Sequence, residues 1–208
     1  MSGTASQPDA TPPAPGPVPG LFTGRKILVA LSGGIACYKV ATVVSRLVQA
    51  GASVRVMMTD AATKFVTPLT FQSLSGQPVV TSIFDSVAFH DSQHIGLARW
   101  CDLMILAPAS ADIIAKIAAG FTDDIVSLTA SALPRGDGTT PGTPLLLAPA
   151  MNADMWASPI VARNLATLRD LLGVHTVGPD EGWQACRTKG AGRMSEAEAI
   201  VAAAGKLL

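Results

Sequence analysis

The chain has 208 residues, with 15 Lys and Arg against 15 Asp and Glu, 49% hydrophobic residues and 5% aromatics. That length suits one domain with a substantial core, and the balanced charge gives no electrostatic footprint for nucleic acid or an anionic membrane. No apolar run reaches a membrane span, no signal-peptide pattern opens the chain, and Cys37, Cys101 and Cys186 are too few and too scattered for a disulfide framework or a metal site, which points to a reduced, cytoplasmic protein.

Residues 1–24 hold Pro8, Pro12, Pro13, Pro15, Pro17 and Pro19 among Gly, Ser, Thr and Ala, the composition of a disordered extension, so the folded domain is expected over 25–208. It opens with the apolar run Lys26–Leu31, the pattern of a strand buried on both faces. Ser32-Gly33-Gly34 follows, then a helix over Ile35–Gln49 with Val40, Val43, Val44 and Leu47 on one face. A strand is predicted at Ser53–Met58, a short helix from Asp60 capped by Thr59, and another helix over Leu69–Ser75 after Pro68. Next come a strand at Leu103–Ala107 and helices at Ser110–Ala119 and Asp124–Ala132. A Gly/Pro/Thr loop, Pro134–Pro144, leads to strand Leu145–Ala148, helix Pro159–Leu172, strand Val174–Val177 and a last helix, Glu196–Leu207. Strands alternating with helices imply one doubly wound, mainly parallel, Rossmann-like α/β sheet.

In such sheets ligands bind beyond the carboxyl ends of the strands. Ser32-Gly33-Gly34 lies at one of those ends, where glycines allow close backbone approach and the next helix offers its positive end to a phosphate. The G-x-G-x-x-G dinucleotide fingerprint is absent, so a mononucleotide fits better than NAD. Asp60 reads as a first-turn helix charge rather than a ribose ligand. Ser110 stands at the start of another helix, as a cap or as a ligand hydroxyl.

The most informative string is Ala148-Pro149-Ala150-Met151-Asn152-Ala153-Asp154-Met155-Trp156, which places an uncharged amide just past a strand where it can hold a carboxylate. A second segment, Gln184-Ala185-Cys186 running into Gly190-Ala191-Gly192-Arg193-Met194, accompanies it. His94, in His94-Ile95-Gly96-Leu97-Ala98-Arg99-Trp100, can take and return a proton near neutral pH, whereas His90 and His175 have no comparable context.

These strings resemble the homo-oligomeric, flavin-containing cysteine decarboxylases, the family of phosphopantothenoylcysteine decarboxylase and the lantibiotic-type peptidyl-cysteine decarboxylases, from about Arg25 to Met194. The resemblance implies FMN as cofactor, held by Ser32, Gly33, Gly34, Ile35, Thr59, Ala109, Ser110 and Asp112, the last replacing the family's usual Asn. It implies a substrate ending in cysteine, held by Asn152, Met151, Met155, Arg193 and Met194. Flavin oxidises the thiol-bearing carbon to a thioaldehyde and CO2 leaves to give an aminoenethiol, with His94 as acid/base and Asn152 on the carboxylate. Cys186 then protonates the enethiol in the coenzyme A type, while the peptide type stops there. The family's trimers or dodecamers imply active sites between subunits.

Arg187 where the family has Gly, the long Pro134–Pro144 loop, the Pro-rich head and the end at Leu208 tilt the expectation toward a peptide's C-terminal cysteine, with coenzyme A synthesis as the alternative. A non-catalytic flavoprotein subunit is disfavoured because His94 and Asn152 are both present.

Overall fold

The apolar runs become the strands of a single parallel sheet. The structure, a computed structural model, describes residues 20–84, 92–137, 139, 141–183, 185 and 187–208. Strands β1 (Lys26–Leu31), β2 (Ser53–Met58), β3 (Leu103–Ala109), β4 (Leu145–Pro149) and β5 (His175–Thr176) lie in the order β2-β1-β3-β4-β5, every neighbour parallel. The doubly wound expectation holds. The chain leaves β1 toward β2 on one side and returns to β3 on the other, so the topological switch point falls between β1 and β3.

Successive side chains of β1 point to opposite faces. Ile27, Val29 and Leu31 pack with helices α1 (Cys37–Gln49), α3 (Pro68–Ser75) and α9 (Ala197–Gly205). Leu28 and Ala30 pack on the other face with α4 (Gln93–Trp100), α5 (Ala111–Ala119), α6 (Ile125–Ser131) and α8 (Pro159–Leu172). Helix ends follow local chemistry. Pro159 opens α8 at a position where its missing N–H costs nothing, and Gly173 closes it at φ 62, in the left-handed region.

Several expected boundaries shift, among them β3, which runs on to Ala109, and β5, which shortens to His175–Thr176. The packed chain begins before Arg25: Phe22 is fully buried in the first cluster, and its N–H donates to the Ala50 carbonyl at 2.9 Å. Residues 1–19 of the expected extension lie outside the described residues. Helix α1 starts at Cys37 rather than Ile35, with Ala36 as its N-cap. We expect Phe22→Ala to cost about 3–5 kcal/mol through the cavity it leaves. Guanidinium unfolding tests this, and a loss under about 1 kcal/mol would exclude Phe22 from the core.

Beyond the sheet, β6 (Asp180–Trp183) and β7 (Lys189–Arg193) form an antiparallel ribbon pairing Gly182 with Gly190 and Trp183 with Lys189. The one-turn helix α7 (Ala153–Trp156) receives it. A Cβ at Gly190 would stand 2.8 Å from the Ala153 Cβ, so only glycine allows this approach. Met151 N–H donates to the Gly192 carbonyl at 2.9 Å. Glu196, just beyond β7, accepts from Lys39 of α1 at 2.9 Å and pairs with Arg193 at 3.0 Å.

Candidate active site

Four strand ends build the floor of one cleft of about 660 Å³, in the range of small-ligand sites. Ser32 and Gly33 follow β1, Thr59 follows β2, Ser110 follows β3, and Ala150 and Met151 follow β4. At the switch point Ser32 and Ser110 are locked together. Ser32 Oγ donates to the Pro108 carbonyl at 2.7 Å and accepts from Ser110 N–H at 3.0 Å, and the two hydroxyl oxygens stand 3.0 Å apart. Since the Ser32 proton goes to Pro108, the Ser110 hydroxyl is the donor of the pair that a ligand can claim. Ser110 also caps α5, accepting from Ile113 N–H at 3.3 Å.

Next to this pair, Gly33 packs so tightly on α2 (Asp60–Thr63) that a Cβ there would lie 2.5 Å from the Ala61 Cβ. Thr59 fixes α2 by accepting from Ala62 N–H at 3.2 Å. No side chain caps the start of α1; instead Cys37 N–H donates to the Gly34 carbonyl at 3.1 Å and Lys39 N–H to the Ala36 carbonyl at 3.0 Å. A glycine turn, a donor hydroxyl and the start of α5 fit the phosphate of a mononucleotide. Asp60 pairs with Lys64 at 3.2 Å, as a helix charge does.

Other expected cofactor residues are placed differently. Gly34 and Ile35 do not line the cleft, and Ile35 is exposed. Ala109 is fully buried, and its carbonyl accepts from Ala150 N–H at 3.1 Å, bracing the ends of β3 and β4. Asp112 does line the cleft, but its side chain is 76% exposed and sits 3.9 Å from Lys116. Its charge is therefore turned outward and paired. Lys116 was not foreseen: Asp123 at 3.0 Å and Asp124 at 3.2 Å also bind it, all four groups on the cleft rim. Mainly the Asp123 hydrogen bond pushes the Lys116 ammonium up, and the same bond holds the Asp123 carboxyl below its usual range. The i,i+4 spacing of Asp112 and Lys116 was the available signal for this cluster; the other two acids arrive from the turn after Gly120.

At the other end, Asn152 caps α7, its Oδ1 accepting from Asp154 N–H at 2.8 Å. The cap uses the acceptor atom of the amide; a carboxylate needs the donor atom, Nδ2. Met151 and Met155 line the cleft, and the Met151–Gly192 bond brings in the ribbon, so the two segments singled out in the sequence do meet. Met194, at 1% exposure, packs in the core and anchors the ribbon there. Arg193 lies across Gly182, whose missing Cβ leaves room for it. His94 sits half-buried in the first turn of α4, at the same end of the sheet but not among the residues lining this cleft. Cys186, Gln184 and His90 lie outside the described residues. Cys37 and Cys101 are buried, and desolvation pushes the Cys101 thiol up to about 12. Among the described residues, no group of three or more His, Cys, Asp or Glu could hold a metal ion, and no helix is long and apolar enough to cross a membrane.

A doubly wound sheet with a glycine turn and paired serines lining a cleft at its switch point is the form of a mononucleotide-binding α/β protein. The Flavoprotein family profile matches residues 18–208, and the chain belongs to that family. It is 46% identical over 181 residues to the coenzyme A biosynthesis bifunctional protein CoaBC of Vibrio cholerae, a match covering 87% of this chain and 43% of the relative. The chain thus spans less than half the length of the curated relatives it matches. A PPC decarboxylase mutant complexed with pantothenoylaminoethenethiol superposes with TM-score 0.73 at 30% identity, covering 86% of this chain and 96% of that one. The FMN-dependent cysteine decarboxylase SpaF superposes with TM-score 0.70 at 27% identity, covering 88% and 99%.

Proposed function

We propose that this chain decarboxylates the cysteine carboxylate of phosphopantothenoylcysteine, a step of coenzyme A synthesis. It is an enzyme of the FMN-dependent cysteine decarboxylase kind. The observation that carries the substrate assignment is the 46% identity over 181 residues to a coenzyme A biosynthesis protein. It displaces the expectation of a peptide substrate, and the fold removes one ground for that expectation. The Pro134–Pro144 loop precedes β4, at the end of the sheet away from the cleft. Among its described residues, Arg135 donates to the Ala130 carbonyl of α6 at 2.9 Å and Thr143 N–H to the Pro134 carbonyl at 2.8 Å.

FMN, when bound, supplies the electron acceptor that a cysteine carboxylate needs before CO2 can leave. Ser32, Gly33 and Ser110 hold its phosphate. Asn152 orients the substrate carboxylate through Nδ2, in an amide plane fixed by the Oδ1 cap. Met151, Met155 and the ribbon exclude water from that end. His94 moves the proton at the thiol end, and reaches the cleft of a neighbouring subunit in a homo-oligomer. Exposed Ile35 before α1, Tyr38 on α1, and Phe65 and Leu69 on the α2–α3 segment supply the apolar surface such an assembly covers.

The test is mass spectrometry of products from the flavin-loaded protein, given phosphopantothenoylcysteine and, separately, peptides ending in cysteine. Loss of CO2 alone from phosphopantothenoylcysteine is the expected result. Loss of CO2 and two hydrogens from peptides, with phosphopantothenoylcysteine untouched, overturns it.

A further inference from the structure

We propose that Cys37 is a positioning residue for the cofactor, its thiol fixing the peptide between Ser32 and Gly33 so that Gly33 N–H faces the flavin phosphate. This rests on the reading that the Ser32–Gly33 turn holds that phosphate. Cys37 is the first residue of α1 and fully buried, and its Sγ–H donates to the Ser32 carbonyl at 3.2 Å. Burial pushes the thiol up, against smaller opposing effects of the Gly34 and Cys37 backbone N–H groups, so sulfur keeps the proton this bond needs. Elsewhere Ser32 is tied to Pro108, its N–H donating to that carbonyl at 3.3 Å and its Oγ at 2.7 Å. The Ser32 carbonyl is the remaining handle on the turn, and Cys37 holds it.

Peptide geometry carries this bond to the ligand. The Ser32 carbonyl and Gly33 N–H belong to one trans peptide, whose C=O and N–H point in opposite directions. Drawing the carbonyl toward buried sulfur therefore turns Gly33 N–H outward, to the cleft that Gly33 lines. Among the described residues no group accepts from that N–H, so it stands ready for an anion. The Ser110 hydroxyl, the other donor open to a ligand, lines the same cleft. Donation into the carbonyl also polarises the peptide, which strengthens its N–H as a donor.

The turn needs such a restraint. Its contact with Ala61 demands glycine at position 33, and glycine brings a backbone freedom that a fixed donor cannot have. The thiol bond takes that freedom away. Cys37 N–H reaches the turn as well, donating to the Gly34 carbonyl at 3.1 Å, but any residue except proline makes that bond. The bond to Ser32 requires a side-chain donor one atom beyond Cβ. Alanine there leaves the carbonyl buried without a partner, and the peptide is free to rotate.

The test titrates the flavin-stripped full chain with FMN and with riboflavin, which lacks the phosphate, in wild type, Cys37→Ala and Cys37→Ser. Alanine and serine leave nearly the same void where sulfur was, and differ in whether a hydroxyl can donate. Matching unfolding midpoints check that both variants fold. The wild type is expected to bind FMN more tightly than riboflavin. In Cys37→Ala that preference should fall about five- to tenfold, part of the worth of one charge-assisted bond, with riboflavin affinity unchanged. Cys37→Ser should recover most of it. Equal losses of preference in the two variants would make sulfur a packing atom and overturn the proposal. An unchanged preference in Cys37→Ala, or equal losses on both flavins, overturns it too, with the phosphate cradle still standing. A wild type that does not prefer FMN overturns the cradle and the proposal together.

Discussion

His94→Asn should leave a yellow, folded protein whose decarboxylation falls by about 10²–10⁴-fold, the range for loss of a positioned acid/base. The side chain is half-buried in the first turn of α4, and asparagine keeps much of its volume, so flavin content and unfolding midpoint should stay near wild type. The position of His94 makes the prediction sharper. It does not line the cleft that holds Met151 and Met155 of the same chain. If each site takes His94 from one subunit and Asn152 from the next, two inactive variants must rescue one another. Co-expression of His94→Asn with Asn152→Ala in equal amounts should restore about a quarter of the sites, the share that receives both native residues in a closed ring. Product formation by purified mixed oligomers checks this. Turnover by His94→Asn alone removes its acid/base role, and failure of the mixture to recover places both residues in one subunit's site.

The second large effect is expected at Gly33. Gly33→Ala drives a methyl to 2.5 Å from the Ala61 Cβ and 3.2 Å from its backbone carbon, so the turn or α2 must move. A displacement of that kind costs about 1–3 kcal/mol. If the same turn holds the cofactor phosphate, as proposed, the cost should appear as roughly 10–100-fold weaker FMN binding. Gly34→Ala is the internal control. Its Cβ meets only the Pro108 ring at 4.0 Å, an ordinary contact, and neither glycine needs a positive φ. The measurement is FMN titration of the stripped proteins by fluorescence quenching. Equal affinities in the two variants would show that the Ala61 contact does not shape the cradle.

The strands and long helices were legible because their signals are local. Ser53–Met58 and Pro159–Leu172 were read to the residue: one is an apolar run between turns, the other opens with Pro159 and closes at Gly173. Helix α7 was not legible, because four residues form a turn only when Asn152 caps them and the ribbon leans on Ala153. The ribbon itself was missed for want of alternation, since Asp-Glu-Gly-Trp and Lys-Gly-Ala-Gly-Arg bury no apolar face of their own. At the site, the sequence marked Ser32 and Ser110 separately. Their hydrogen bonding is a property of β1–β3 register, which no local pattern encodes. Burial of Met194 and the outward turn of Asp112 likewise depend on what packs around them. The left-handed turn at Arg187 gives a physical reason for the family's glycine there.

Strand β1 belongs to both halves of the core, sending Ile27, Val29 and Leu31 to one side and Leu28 and Ala30 to the other. It ends at Ser32, in the cradle. No local opening can free that strand without loosening both layers, so loss of the cradle and global melting draw on one cooperative unit. Flavin then acts as a thermodynamic clamp on the whole molecule. At a hundredfold excess over its dissociation constant it adds about 2.7 kcal/mol to unfolding, and the melting temperature of this protein should follow free FMN concentration.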